Sequence, residues 1–154
     1  MTEQNIQQQK QFRILLIGDD CQDVYQFGTI DRLSPEAPVP VFIPGKKETK
    51  PGMAGNVAKN LEALGCEVDY LHGNTSVKTR LIDRRSKQHL VRIDDDTISD
   101  PIIFQTVIFS GYDAIVISDY NKGTVSYELV EELRRDFGGP IFVDTKKTDL
   151  HRME

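Results

Sequence analysis

Residues 12–20, FRILLIGDD, decide how the rest of the chain is read. The apolar run is too short for a helix and does not alternate with polar residues, so it reads as a strand covered on both faces, of the kind found at the centre of a parallel sheet. Gly18-Asp19-Asp20 reads as its end. Residues 113–119, DAIVISD, read as another core strand, and residues 140–144, PIFVD, as a final strand. Between them Val125, Leu129, Leu133 and Phe137 recur at helical spacing, and Gly138-Gly139 closes the run. Strand, helix, strand, with hydrophobic strands, predicts parallel βαβ units in a doubly wound α/β sheet.

Working outward, residues 25–50 change character. Pro35, Pro38, Pro40 and Pro44 punctuate the segment, and proline removes ladder donors, so its strands are expected at an edge, as a small β flap over about residues 25–50. Residues 52–64 read as a helix in which Met53, Val57, Leu61 and Leu64 recur at helical spacing with Ala54 and Ala58 beside them, stopped by Gly65. CEVDYLHG (66–73) reads as a second buried strand, and TRLIDR and HLVRID as two more joined by a polar turn at 86–88. Residues 1–11, rich in Gln and without periodicity, are expected to be a disordered lead-in, leaving residues 12–154 as one domain with a flap.

Composition narrows the function. A net charge of -5 argues against a phosphate-backbone binder, which needs clustered Lys and Arg. No apolar run approaches the roughly 20 residues that span a bilayer, and the polar opening MTEQNIQQQKQ lacks the core of a signal peptide, so a cytoplasmic protein with no nucleic-acid or membrane partner is expected. Cys21 and Cys66 have no metal-ligand spacing and read as free thiols; His72, His89 and His151 have none either. Ligands of such sheets bind beyond the carboxyl ends of the strands. Those ends read Gly18-Asp19-Asp20, Ser118-Asp119-Tyr120 and Asp144-Thr145-Lys146, so acids are expected to converge on one rim.

The stretch GDDCQDVYQFGTIDRLSPEAPVPVF, then PGMAGNVAKNLEALGCEV, resembles the opening of the heptose-7-phosphate kinase domain of the ribokinase-like (PfkB-type) carbohydrate kinases. Arg32-Leu33-Ser34-Pro35-Glu36-Ala37-Pro38-Val39-Pro40-Val41 keeps that family's middle element, and Ser118-Asp119-Tyr120-Asn121-Lys122-Gly123 matches its Ser-Asp-Tyr-x-Lys-Gly segment. Val143-Asp144-Thr145-Lys146 matches its Asp-Pro-Lys with Thr for Pro. The resemblance spans residues 14–150. It implies a ribokinase-like Rossmann-type parallel sheet with a β flap as substrate lid and homodimer contact, and ATP-dependent phosphorylation of a sugar phosphate with Mg²⁺.

Three departures shape the expectation. Met53 replaces the second glycine of Pro-Gly-Gly, and the chain is shorter than the family by roughly one helix and strand between Asn74 and Thr75, about 30 residues. The 154 residues also stop before the family's Asn-x-x-Glu and Gly-Ala-Gly-Asp segments, which supply magnesium contacts, anion hole and base. A domain truncated at its C-terminal side is therefore expected, with ATP and Mg²⁺ binding in doubt and no catalytic residue in hand. The alternative is a non-catalytic sugar-phosphate-binding or dimerising remnant.

The resemblance implies substrate-binding roles for Asp23, Gly52, Asn56, Lys122 and Arg80. A carboxylate accepts two hydroxyl protons at fixed geometry, and an amide both donates and accepts. Each also has a plain reading: Asp23 as a turn residue, Asn56 as helix packing, Gly52 as a helix start, and Arg80, with Lys78 and Arg92, as solvated strand residues. Lys122, with Asp119, reads equally as part of a helix-capping loop. Asp19 is expected to fix its loop. Asp144 and Lys146 align with the nucleotide side, and the run Asp94-Asp95-Asp96 reads as a solvated turn.

Overall fold

The computed structural model describes residues 11–103 and 109–153, so the expected lead-in lies, but for residue 11, outside the described residues. Six strands form one sheet: β1 (Arg13–Leu33), β2 (Pro40–Gly52), β3 (Glu67–Asp83), β4 (His89–Asp95), β5 (Ala114–Asp119) and β6 (Ile141–Thr145). The order is β4-β3-β1-β5-β6, with β2 also on β1. Helices α1 (Met53–Ala63) and α2 (Tyr127–Asp136) and a 3-10 turn at Leu150–Arg152 complete the fold. β1 runs parallel to β3 and β5, and β5 to β6, while β2 and β4 pair antiparallel. The expected mixed α/β, parallel-dominated sheet is thus present, and none of the described helices is long and apolar enough to cross a membrane.

The first strand does not end at Gly18-Asp19-Asp20. It continues to Leu33, and its neighbour changes: residues 14–18 lie beside β5, whereas residues 21–33 lie beside β2 on the same side. β3 borders the other side over residues 13–28, with a register shift between Gly18 and Asp20. An acidic pair was read as a terminator, yet each carboxylate is held from within. Asp19, 1% exposed, accepts the backbone N–H of Tyr120, Lys122 and Thr124 at 2.7, 3.0 and 3.2 Å. Asp20 accepts the Tyr70 and Thr75 hydroxyls at 3.0 and 2.7 Å. The backbone has no unsatisfied carboxylate to turn outward, and it stays extended.

β3 is likewise one strand where two were expected. The shortening between Asn74 and Thr75 falls at that same register shift, and the chain runs straight through it, anchored by the Asn74 N–H donating to Ser99 Oγ at 2.7 Å. The flap is consequently wider than residues 25–50. It comprises the outer halves of β1 and β3 with β2 and β4, and the proline-bearing β2 is an edge, paired only with β1.

Side chains alternate across β1. Leu15 and Ile17 join Ile115, Ile117, Val125, Leu129, Val130 and Leu133 in the core under α2. Leu16, fully buried, and Gly18 face the other way, where a Cβ on Gly18 would come 2.8 Å from Cβ of Ala54. That closeness explains α1, whose buried residues are Met53, Ala54, Gly55 and Ala58 while Leu64 is 81% exposed. Of the expected apolar residues, Met53, Ala54 and Ala58 are buried, Val57 and Leu61 are half-buried and Leu64, past the helix end, is exposed, because small side chains bring the start of this helix against β1. α2 follows its periodicity, with Ser126 Oγ accepting from the Leu129 N–H at 3.0 Å as N-cap.

Candidate functional site

A cleft of about 540 Å³ opens between the inner face of the flap and the start of α1. β1 supplies Asp23 and Tyr25, β2 supplies Lys50, and the β2–α1 junction supplies Gly52 and Asn56; Tyr120 comes from the loop after β5. Three of the five expected substrate-side residues therefore share one concave surface. Arg80 joins them from β3, its Nη1 donating to Asp23 Oδ1 at 2.6 Å. Both side chains are about four-fifths covered, and the hydrogen bond to Asp23 raises the Arg80 pKa further above its ordinary value. Arg80 thus fixes one oxygen of Asp23.

Gly52 has a steric reason to be glycine. Its backbone is extended, but a Cβ there would lie 2.7 Å from Oδ2 of Asp23, so any side chain would displace the carboxylate and fill the cleft. The next residue is under conformational constraint: Met53 has φ 46°, the left-handed region that glycine favours. The position where the sequence departs from Pro-Gly-Gly is thus the position where glycine's freedom would be used. Asn56 is exposed and its side chain makes no hydrogen bond among the described residues. Its amide is free to meet a ligand.

Lys122 and the nucleotide-side pair lie elsewhere. Lys122 Nζ is 2.6 Å from Asp96 Oδ2, and its N–H is one of the three held by Asp19. Lys146 Nζ sits 4.4 Å from the ring centroid of Tyr120, which itself lines the cleft. Asp144 is exposed and lines a smaller cleft with Val57, Ser118 and Phe142. The acids of the expected rim differ in burial: Asp19 and Asp119 are buried, whereas Asp144, paired with Ser118 at the end of β6, is exposed. Asp119 Oδ2 accepts from Thr145 Oγ1 at 2.6 Å and from Lys147 Nζ at 2.7 Å, and its Oδ1 from the Asn121 N–H. Among the described residues no three His, Cys, Asp or Glu side chains are grouped to hold a metal ion. Asp144 as a lone exposed carboxylate and Lys146 lying on an aromatic ring do not by themselves make a magnesium–nucleotide site.

Tyr120 was marked in the sequence only as a strand-end residue, and nothing there singled out Lys50 or Lys147. Lys147 was within reach: Thr145 pairs with Asp119 across β5 and β6, and two residues on the side chain returns to the same face. Among the described residues a further cleft under α2 is lined by Val130, Phe137, Ile141, Val143 and Met153, with Arg134 as its charged member. It lacks the converging polar groups of a substrate site.

No family model matches the chain. It is 34% identical over 174 residues to the bifunctional protein HldE of Nitrosococcus oceani, covering 90% of this chain and 36% of that protein. It is 36% identical over 178 residues to the bifunctional protein HldE of Methylococcus capsulatus, covering 91% and 37%. The chain thus spans little more than a third of the length of these curated relatives. Both matched spans exceed the 154 residues of the chain, so the relatives carry residues there that this chain lacks. Among solved structures, a Staphylococcus aureus protein assigned as a phosphofructokinase superposes with TM-score 0.52 at 9% identity, over 92% of this chain and 56% of that one. That likeness speaks for the fold.

Proposed function

We propose that this chain is the acceptor-sugar side of a ribokinase-like carbohydrate kinase, an ATP- and Mg²⁺-dependent activity that phosphorylates a sugar phosphate of the heptose-7-phosphate kind. The observation that carries this reading is the meeting of Asp23, Gly52 and Asn56 in one cleft. Asp23, with one oxygen pinned by Arg80, presents the other to a sugar hydroxyl, and Gly52 leaves the room. Asn56 offers a donor and an acceptor to the neighbouring hydroxyl. Phosphoryl transfer is catalysed chiefly by positioning and charge stabilisation, and these groups hold the acceptor.

The bound nucleotide would supply the transferred phosphoryl group. In this reading Asp144 and Lys146 lie toward it, and residues 1–154 alone do not turn over, since the described residues offer no metal cluster and the sequence contains no Gly-Ala-Gly-Asp. The reading includes a cytoplasmic location and a homodimer formed through the flap. Val91 and Ile93, about half exposed, favour the latter: they pair with Leu81 and Thr79 and so share the face turned away from Asp23.

Titration of the chain with heptose 7-phosphate tests the site. Asp23→Ala and Asn56→Ala should each weaken binding, Asp23→Ala by about 1.5–3 kcal/mol, and unchanged affinity in both would remove the assignment. Transfer from labelled ATP to heptose 7-phosphate should be undetectable with residues 1–154, and robust transfer would refute the inactive reading.

A further inference from the structure

We propose that the cleft selects phosphorylated ligands through Lys50 and Lys78, which stand on either side of Asp23; this rests on the acceptor-sugar reading and adds the groups that read the phosphate. The strand register carries it. Asp23 pairs with Lys50 of β2 and with Lys78 of β3, and Lys78 pairs with Asp94 of β4. Paired residues project from the same face of a sheet, so Lys50, Asp23 and Lys78 form one row on the cleft side. Two residues on, Glu48, Tyr25, Arg80 and Arg92 form the next.

Every carboxylate of those two rows already has a cation. Arg80 is bound to Asp23 at 2.6 Å, Arg92 to Asp94 at 2.8 Å and Lys46 to Glu48 at 2.7 Å. Asp96, whose pKa is lowered chiefly by its bond to Lys122 and also by the nearby charge of Lys78, is held by Lys122 at 2.6 Å. Lys50 and Lys78 form no ion pair among the described residues, and Lys50 Nζ rests 5.5 Å from the Tyr25 ring centroid. A chain of net charge -5 therefore keeps two ammonium groups outside any ion pair among the described residues, on either side of the carboxylate that faces the cleft.

The spacing suits one phosphate. Two strand separations put the lysine backbones about 10 Å apart, a gap that two lysine side chains close from opposite sides. A phosphate monoester carries close to two negative charges at neutral pH, one for each lysine. α1 begins beside them with no side-chain cap and no acidic residue in its first turn, so its amide dipoles add to the positive field. A neutral sugar would leave both ammonium groups unmatched.

The test is a nuclear magnetic resonance titration of the 154-residue chain with heptose 7-phosphate, with the unphosphorylated heptose and with inorganic phosphate. It compares wild type, Lys50→Gln, Lys78→Gln, the double variant and Lys78→Arg. Each Gln variant should lose about tenfold in affinity for heptose 7-phosphate, the order of one partly exposed charge-assisted bond. Both should keep affinity for heptose within about twofold, and Lys78→Arg should retain phosphate selectivity. Equal losses for the two sugars, or none for either, overturn the proposal while leaving the acceptor cleft standing. If neither sugar binds, the acceptor reading fails and inorganic phosphate decides the lysine pair alone. Shifts at the amides of residues 50 and 78, abolished in the double variant, support it, and their absence refutes it.

Discussion

Asp19 and Asp23 are four residues apart on one strand, and they do opposite work. Asp19 lies in the inner half of β1, 1% exposed, and spends its carboxylate on three backbone amides of the loop at 120–124. Asp23 lies in the outer half, gives one oxygen to a single arginine and turns the other toward a cleft. The difference is one of neighbours. Where β5 flanks the strand, helices cover both faces and a buried carboxylate must find its partners within the protein; where β2 flanks it, one face meets solvent and a ligand can take the partner's place. A strand of uniform conformation is thus structural at one end and receptive at the other.

Substitution at the two aspartates should break the comparison most visibly. Asp19→Ala should cost about 3–5 kcal/mol, because three buried donors lose a charged acceptor, and should lower the melting temperature by about 10 °C. Asp23→Ala should cost no more than about 2 kcal/mol, the loss of one partly covered ion pair. Thermal melts that rank the two in the other order would mean that the flap, not the centre, carries the stability.

The inner half should also be the base-sensitive one. Burial, and then the charge and hydrogen bond of Asp20, raise the pKa of Tyr70 above its ordinary 10.0, and burial and Asp69 raise that of Tyr112. A raised folded-state value means that the folded protein holds protons the unfolded chain has released. The contribution is complete below pH 10 and lost as pH rises above it. Stability should then fall by up to about 1.4 kcal/mol per pH unit for each tyrosine. Tyr70→Phe should remove one tyrosine's share of that slope in denaturant melts between pH 9.5 and 11.5, and an unchanged slope would show that another group titrates. The smallest effect belongs to the flap's rim: Arg92→Ala, at an exposed pair with Asp94, should change stability by under about 0.5 kcal/mol.

What the sequence disclosed follows the same division. FRILLIG, DAIVISD and the Val125–Leu129–Leu133 spacing are signals set by burial and stand in the structure as read, whereas PIFVD stands as a strand at the sheet edge with Phe142 60% exposed. The continuity of β1 and β3 was hidden, since Gly-Asp-Asp and Gly-Asn are local turn signals. Here they are overridden by a partner about 100 residues away for Asp19 and by Ser99 for Asn74. The start of α1 packs as its spacing suggested, through Met53, Ala54 and Ala58, but Leu64 at its end is exposed, since the close contact with β1 is made by small side chains at the other end of the helix. Asp23, Gly52 and Asn56 were legible through a motif. Lys50 and the cleft-lining place of Tyr120 were not, because they depend on strand register and on a loop held by Asp19.

The double pairing of β1 also sets a timetable for synthesis. Its outer half meets β2 across the short connection at 34–39, so that hairpin is complete soon after residue 52 has been made. Its inner half must wait for residues 114–118. At a ribosomal pace of about 5–20 residues per second, that is a delay of roughly 3–12 seconds from the finished hairpin. Through that interval Leu15, Leu16 and Ile17, among the most deeply covered side chains of the finished protein, lack the strand that will lie beside them. The nascent chain is most in need of a chaperone then, and the flap is expected to fold before the centre that carries it.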